Sequence, residues 1–240
     1  VVDVMAKRNQ LTSANLASLR LMTFCGEPLL PEHLDEIFAA RPDIKVHNTY
    51  GPTETTVSCT LLELTAQNYR KYCRNNVSFG EPIEGMTLTL ESRNNQSEGE
   101  IIISGPQVAH GYWGRPDLTD QVFSKKASYG GGRNAYRTGD WAEYIDDNLY
   151  FMQRVDRQIK RRGHRIELGD IDAAIRRYTK SATCTVYVED KLISFIENHN
   201  SRTDHELRNW LSQQLPEYCL PDVIRGIETL PKNANDKIDV

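Results

Sequence analysis

The sequence predicts a mixed α/β chain that changes character twice, and three observations carry this. Leu34, Ile37 and Phe38 recur at helical spacing between the apolar segments 19–24 and 44–46, the outline of a βαβ unit. From Val77 the apolar residues gather instead in short runs at Thr87–Glu91, 100–104 and 141–145, separated by polar turns, as in a β-rich part. Beyond Asp156 a compact α+β pattern follows. A boundary is therefore expected near Asp156, giving parts 1–155 and 156–240.

Within the first part, the helix is expected at Pro31–Ala40 and a short strand at 43–47. Gly51-Pro52 is a strong turn signal. Residues 92–98 are turn formers, read as a mobile loop. In the second part a hairpin runs through Ile159 and Ile166, followed by a helix at 168–178 and strands at Thr183–Val188 and 192–196. A second helix opens at Thr203-Asp204-His205-Glu206, where Thr203 is placed to cap the amide of Glu206 while Glu206 reaches back. No internal repeats or heptads are present.

Composition narrows the class. Across 240 residues, 39% hydrophobic and 26% charged is ordinary globular usage with enough length for one large or two modest cores. A net charge of −4 supplies no electrostatic footprint for nucleic acid or an anionic membrane, and no targeting peptide or transmembrane run is seen. The basic run Lys160-Arg161-Arg162 reads as a solvated face. Five cysteines with no Cys-x-x-Cys pair argue against a disulfide framework and a zinc site, which fits a reducing cytoplasm.

The densest chemistry lies in Asn48-Thr49-Tyr50-Gly51-Pro52-Thr53-Glu54, which leaves a strand end and gathers an amide, an aromatic face, a turn, a hydroxyl and a carboxylate. Loops at strand ends are where α/β proteins bind ligands. Thr53 can donate to a phosphate oxygen, and Glu54 can hold Mg²⁺, which prefers hard oxygen ligands. Taken alone, the pair can equally cap a following helix.

This run resembles the Asn-x-Tyr-Gly-Pro-Thr-Glu signature of the adenylate-forming enzymes. It is most similar to the amino-acid adenylation domains of nonribosomal peptide synthetases and to the D-alanine–carrier-protein ligases. Further blocks match in order: Cys25-Gly26-Glu27-Pro28; Gly99-Glu100-Ile101-Ile102-Ile103-Ser104-Gly105 with Gly111-Tyr112-Trp113; Tyr136-Arg137-Thr138-Gly139-Asp140; Arg154-Val155-Asp156-Arg157; Arg162-Gly163-His164-Arg165-Ile166-Glu167; Leu215-Pro216-Glu217-Tyr218; and Asn235-Asp236-Lys237-Ile238-Asp239. The resemblance runs from about residue 20 to the C-terminus. It implies pieces of the large N-terminal subdomain, a βαβ unit and a small distorted β-barrel, followed by a small mobile α+β C-terminal subdomain. The family's upstream phosphate loop and its substrate-holding Asp are not found, and the chain opens Val1-Val2-Asp3-Val4. It is read as the C-terminal part of a larger adenylation domain, inactive without its N-terminal portion.

The resemblance also implies roles. ATP and Mg²⁺ serve as cofactors, a carrier protein's phosphopantetheine thiol accepts the acyl group, and an amino acid is the substrate. Adenine lies between Tyr50 and the Gly26-Glu27-Pro28 backbone, with Asn48 at its edge and Thr53 on the phosphates. Asp140, following Thr138-Gly139 in a turn, accepts the ribose hydroxyls with help from Arg154, although Gln153 stands where the family has glycine. Thr53, Glu54 and Lys237 are the catalytic set, with Glu54 the metal ligand. Asp236 and Val240 replace the usual Gly and Arg near Lys237. Thr23, Cys25, Thr49, Val57 and Ser58 line the side-chain cavity, with Gly51 near the substrate's carboxylate or amino group. Asp156 is the hinge, and Gly163 lies in the loop that meets the carrier arm. Apart from the motifs, Tyr50 reads as core, Asp140 as a turn former, Lys237 as a solvated charge and Gly130-Gly131-Gly132-Arg133 as a loose loop. Other functions left open are an acyl- or aryl-CoA ligase and a non-catalytic interaction fragment.

Overall fold

The computed structural model describes residues 2–92, 97–124, 134–154, 156–200 and 203–231. Lys237, Asp236, Val240 and Gly130 to Arg133 lie outside the described residues, as does most of the 92–98 loop. The chain divides into two compact units, Val1–Val155 and Asp156–Val240.

The first unit opens with α1 (Val2–Lys7), β1 (Leu21–Phe24), α2 (Pro31–Ala40) and β2 (Lys45–Asn48). Pro31 stands at the first helical position, where its missing amide costs nothing and its fixed φ suits the helix. Leu34, Ile37 and Phe38 are the buried face of α2, packed in one core with Ile44, Val46 and Leu64. β1 and β2 pair in parallel, Met22 opposite Val46. Then β3 (Thr60–Leu64) and β4 (Glu81–Pro82) extend the sheet in the order β1-β2-β3-β4.

The β-rich stretch contains β5 (Thr87–Glu91), β6 (Glu98–Ser104), α3 (Pro116–Val122), β7 (Phe123–Ser124), β8 (Ala135–Ile145) and β9 (Asn148–Arg154). The barrel implied by the resemblance is not closed here: among the described residues the order is β5-β6-β8-β7, with β9 also on β8. Closure needs the first and last strands to pair, whereas β5 pairs with β6 alone and β8 is shared by three partners. The expected turn at Gly139-Asp140 is also corrected. Both residues lie inside β8, where Gly139 at φ +73 accompanies register shifts against β6 and β9, so the glycine marks a bulge rather than a reversal.

In the second unit, β10 (Gln158–Arg161) and β11 (His164–Glu167) form a hairpin with Ile159 opposite Ile166. After α4 (Leu168–Thr179) come β12 (Thr183–Val188), β13 (Lys191–Glu197), α5 (Asp204–Gln214) and β14 (Val223–Ile227). β12 runs antiparallel to β13, and β14 lies parallel to β13 with α5 as the crossover. Ile171, Ile175, Leu192, Ile196, Leu207 and Leu211 form the core between helices and sheet. The capping box expected at Thr203 does not form: its hydroxyl donates instead to the Asn200 carbonyl at 2.8 Å and so does not cap the Glu206 amide.

Candidate functional site in the first unit

The polar loop after β2 is built around a tight turn. A Cβ on Gly51 would stand 2.4 Å from the Val57 carbonyl oxygen, so only glycine lets the chain double back this closely. Pro52's carbonyl accepts the amides of Thr55 at 3.1 Å and Val57 at 3.2 Å, closing a 3-10 turn at Thr53–Thr55. Thr53 is exposed, with its hydroxyl side chain at the start of the turn. Glu54 is 8% exposed; Tyr112 Oη donates to its Oε1 at 2.6 Å, and the Ala109 amide donates to its backbone carbonyl at 2.9 Å. Burial, followed by the hydrogen bond to Glu54, pushes the Tyr112 phenol well above its usual pKa, so Tyr112 stays a donor.

Glu54 is the proposed Mg²⁺ ligand. Among the described residues there is no cluster of three or more His, Cys, Asp or Glu. A single fixed carboxylate still fits a Mg²⁺ that fills its shell with substrate phosphate oxygens and water, the usual arrangement for this ion.

A second group joins β2's end to the bulge in β8. Asp140 and Arg154 are cross-strand partners of β8 and β9, and Arg154 Nη1 donates to Asp140 Oδ1 at 2.5 Å. Tyr50 Oη donates to Asp140 Oδ2 at 2.6 Å. Side chains of Arg154 and Asp140 are 13% and 6% exposed, so this is a nearly buried ion pair. Arg154 also donates to the Thr138 carbonyl, and Thr138 Oγ1 accepts the Asp140 amide at 3.0 Å. Burial and then the neighbouring Asp140 charge hold the Tyr50 phenol far above its usual pKa. Each Asp140 oxygen carries one protein donor, and a carboxylate's four lone-pair sites leave room for two more.

Packing engages part of each of two residues expected at adenine. Tyr50 belongs to the core and stacks on Phe79 with centroids 4.6 Å apart, so one ring face is already covered. Asn48 is buried, and its amide nitrogen donates to Ser78 O at 2.8 Å and Val77 O at 3.4 Å. Its donor therefore braces the chain leading to β4. Gly26 is at φ +100 with nothing within 4 Å of where a Cβ would stand, so the Gly26-Glu27-Pro28 backbone after β1 is approachable.

The residues expected to face the amino-acid side chain partly converge. Thr49 Oγ1 donates to Phe24 O at 2.9 Å, Ser58 Oγ donates to Thr49 Oγ1 at 3.2 Å, and Ser58 Oγ lies 3.9 Å from Cys25 Sγ. Cys25 Sγ is 3.6 Å from Val57 O. Thr23 lies on the exposed face of β1, because Met22 and Phe24 alternate onto the core; it stands opposite His47. None of the lining side chains is charged. A charged cluster that sequence reading did not find sits on the neighbouring strands, where Glu63 receives Lys45 at 3.0 Å and lies 3.3 Å from His47. Its members come from β2 and β3, and only their antiparallel register, His47 opposite Glu63, brings them together. Tyr112 was likewise visible only as a motif residue, since its partner lies 58 positions away.

In the second unit Asp156 Oδ1 accepts the Gln158 amide at 3.1 Å. Arg162 at φ +51 and Gly163 at φ +81 form the two-residue tip of the β10–β11 hairpin, with open space around Gly163.

Residues 1–113 match the family of AMP-binding enzymes. The chain is 34% identical over 248 residues to tyrocidine synthase 3 of Brevibacillus parabrevis, covering 96% of this chain and 4% of that protein. It is 33% identical over 245 residues to tyrocidine synthase 1 of the same organism, covering 95% of this chain and 22% of that protein. The solved adenylation domain AlmE of Vibrio cholerae, in complex with glycyl-adenosine-5'-phosphate, superposes with a TM-score of 0.83 at 28% identity, over 99% of this chain and 46% of that one. The chain thus spans a small part of its curated relatives and about half of the solved one. Among the described residues no helix is long and apolar enough to cross a membrane.

Proposed function

We propose that this chain, which belongs to the AMP-binding family of adenylate-forming enzymes, serves amino-acid adenylation of the nonribosomal peptide synthetase type. An amino-acid carboxylate attacks the α-phosphorus of ATP, and the bond to pyrophosphate breaks. A carrier's phosphopantetheine thiol then attacks the acyl carbon, loses its proton, and AMP leaves. The observation that most supports this reading is the buried Tyr50–Asp140–Arg154 group, because it presents a fixed carboxylate with spare acceptor sites within the same unit as the Thr53-Glu54 loop.

Asp140 accepts the ribose hydroxyls in this reading, and Arg154 and Tyr50 keep its oxygens from turning. The exposed Thr53 hydroxyl donates to a phosphate oxygen. Glu54, oriented by Tyr112, would hold Mg²⁺, which neutralises phosphate charge when bound. Lys237, at the far end of the second unit's sequence, stabilises charge that builds at the substrate carboxylate and α-phosphate. Asp156 serves as the hinge and Gly163 as the carrier-arm contact.

The substrate follows from the lining. Cys25, Thr49, Val57 and Ser58 offer small, uncharged groups, and an unpaired charge buried against them costs several kcal/mol. A small neutral amino acid such as alanine, serine or threonine, with D-alanine included, fits. Amino-acid-dependent pyrophosphate exchange by a protein carrying the full adenylation domain is expected to favour these over arginine, glutamate and tryptophan. A clear preference for one of those three would overturn the assignment. With preformed aminoacyl-AMP, transfer to a carrier's phosphopantetheine but not to free CoA is expected; the reverse would favour the CoA-ligase reading.

A further inference from the structure

The turn that carries Val57 and Ser58 runs through two conformations that β-branched residues rarely take. Thr56 stands at φ +61, ψ +48 and Val57 at φ +70, both in the left-handed region. Such a pair persists only where its surroundings over-determine it. The Thr55 and Val57 amides donate to Pro52 O on entry, and on exit the Ser58 amide donates to Thr56 O and the Cys59 amide to Tyr50 O; one side chain adds bonds across the strained pair itself.

That side chain belongs to Gln107. Its backbone carbonyl accepts the Thr56 hydroxyl at 2.9 Å. With its amide nitrogen toward the turn, the orientation that satisfies both groups, its side chain donates to Thr55 O at 3.2 Å and Ser58 O at 3.0 Å. One amide thus spans the two strained residues from either side. Gln107 is itself fixed: the Val108 amide bonds back to Gly105 O, Val108 is buried in the core that contains Tyr50, and the next amide, of Ala109, bonds to Glu54 O. Gln107 is therefore tied to rigid core while its side chain reaches the loop.

We propose that Gln107 is a specificity-positioning residue: it contacts no substrate, but it sets where Val57 and Ser58 stand against Cys25 and Thr49. This rests on the reading that those four line the amino-acid cavity. Without the two donated bonds, Thr56 and Val57 lose the side-chain part of what keeps their φ positive, and Ser58 Oγ shifts from its 3.2 Å contact with Thr49.

The test uses a protein carrying the full adenylation domain and compares Gln107→Leu, of similar volume but without donors, with Val57→Ala in the lining. Gln107→Leu is expected to raise the amino-acid KM about tenfold, the scale of one or two lost hydrogen bonds. Discrimination across an amino-acid panel should flatten while the ATP KM stays put. Adding Thr56→Asn should restore much of the loss, since asparagine tolerates the left-handed region. If Gln107→Leu folds poorly by thermal unfolding, Gln107→Glu replaces it, because a carboxylate facing two carbonyls also removes the brace. A changed preference in Val57→Ala with none in the Gln107 variants would overturn the proposal and leave the cavity reading standing. No change in either would overturn both. Equal rises in the amino-acid and ATP KM would mean a general structural role and also overturn it.

Discussion

Asp140→Ala is expected to lower the stability of the first unit by about 3 kcal/mol, because removing one partner of a buried ion pair strands the other charge. Arg154, 13% exposed, would lose its carboxylate partner and keep its bond to the neutral Thr138 carbonyl, and the buried Tyr50 hydroxyl would lose its acceptor. Asp140→Asn, which keeps an oxygen for one donor, should cost less. Denaturant unfolding measures both. The double variant Asp140→Ala, Arg154→Met separates stability from function. If the penalty is the orphaned charge, an apolar partner should recover most of it, while the ATP KM, raised roughly tenfold or more by loss of charge-assisted ribose contacts, should remain high. Recovery of ATP affinity in the double variant would remove Asp140 from the nucleotide site. An Asp140→Ala protein as stable as the parent would show that the ion pair contributes nothing to the fold.

What could be read from the sequence was what repeats locally. The stripe of Leu34, Ile37 and Phe38 needs only helical periodicity and proves to be the buried face of α2. Ile159 and Ile166 find each other across a two-residue tip, since Arg162-Gly163 can take the left-handed pair such a tip requires. Thr138-Gly139-Asp140 misled because its composition is that of a turn, and whether a glycine at φ +73 reverses a strand or bulges it depends on neighbouring strands. Thr203 misled for a similar reason: a hydroxyl at a helix start bonds whichever group is nearest, here Asn200 O.

The site's parts were visible as motifs, while their pairings were not. Tyr50 and Asp140 are 90 positions apart, and nothing in either segment shows that one donates to the other. That pairing changes the chemistry expected of Tyr50, since a ring stacked on Phe79 and tied through its hydroxyl is a support for Asp140 as much as a surface for a base. Gln107 falls between the blocks that end at Gly105 and begin at Gly111, and nothing in the sequence gives it a role. Only the positive φ of Thr56 and Val57 gives it a task, and backbone angles at β-branched residues are what a sequence read by propensity would never assign.

Lys237→Ala, in a protein carrying the full adenylation domain, is expected to slow adenylate formation about a hundredfold, the scale of losing one transition-state donor worth about 3 kcal/mol. Transfer from preformed aminoacyl-AMP to the carrier thiol should change little. The asymmetry comes from the proposed hinge at Asp156. The chain's division falls immediately before that residue, so Lys237 belongs to the part that would rotate between the two half-reactions and would touch the substrate only in the first. Asp236 precedes Lys237 in the sequence where the resembled family has glycine, and Asp236→Gly is expected to speed adenylation while leaving transfer unaltered. Single-turnover measurement of each half-reaction separates the outcomes. Equal losses in both would remove the hinge from Asp156, because a fixed lysine serves both steps alike. A loss confined to transfer would exclude Lys237 from adenylation.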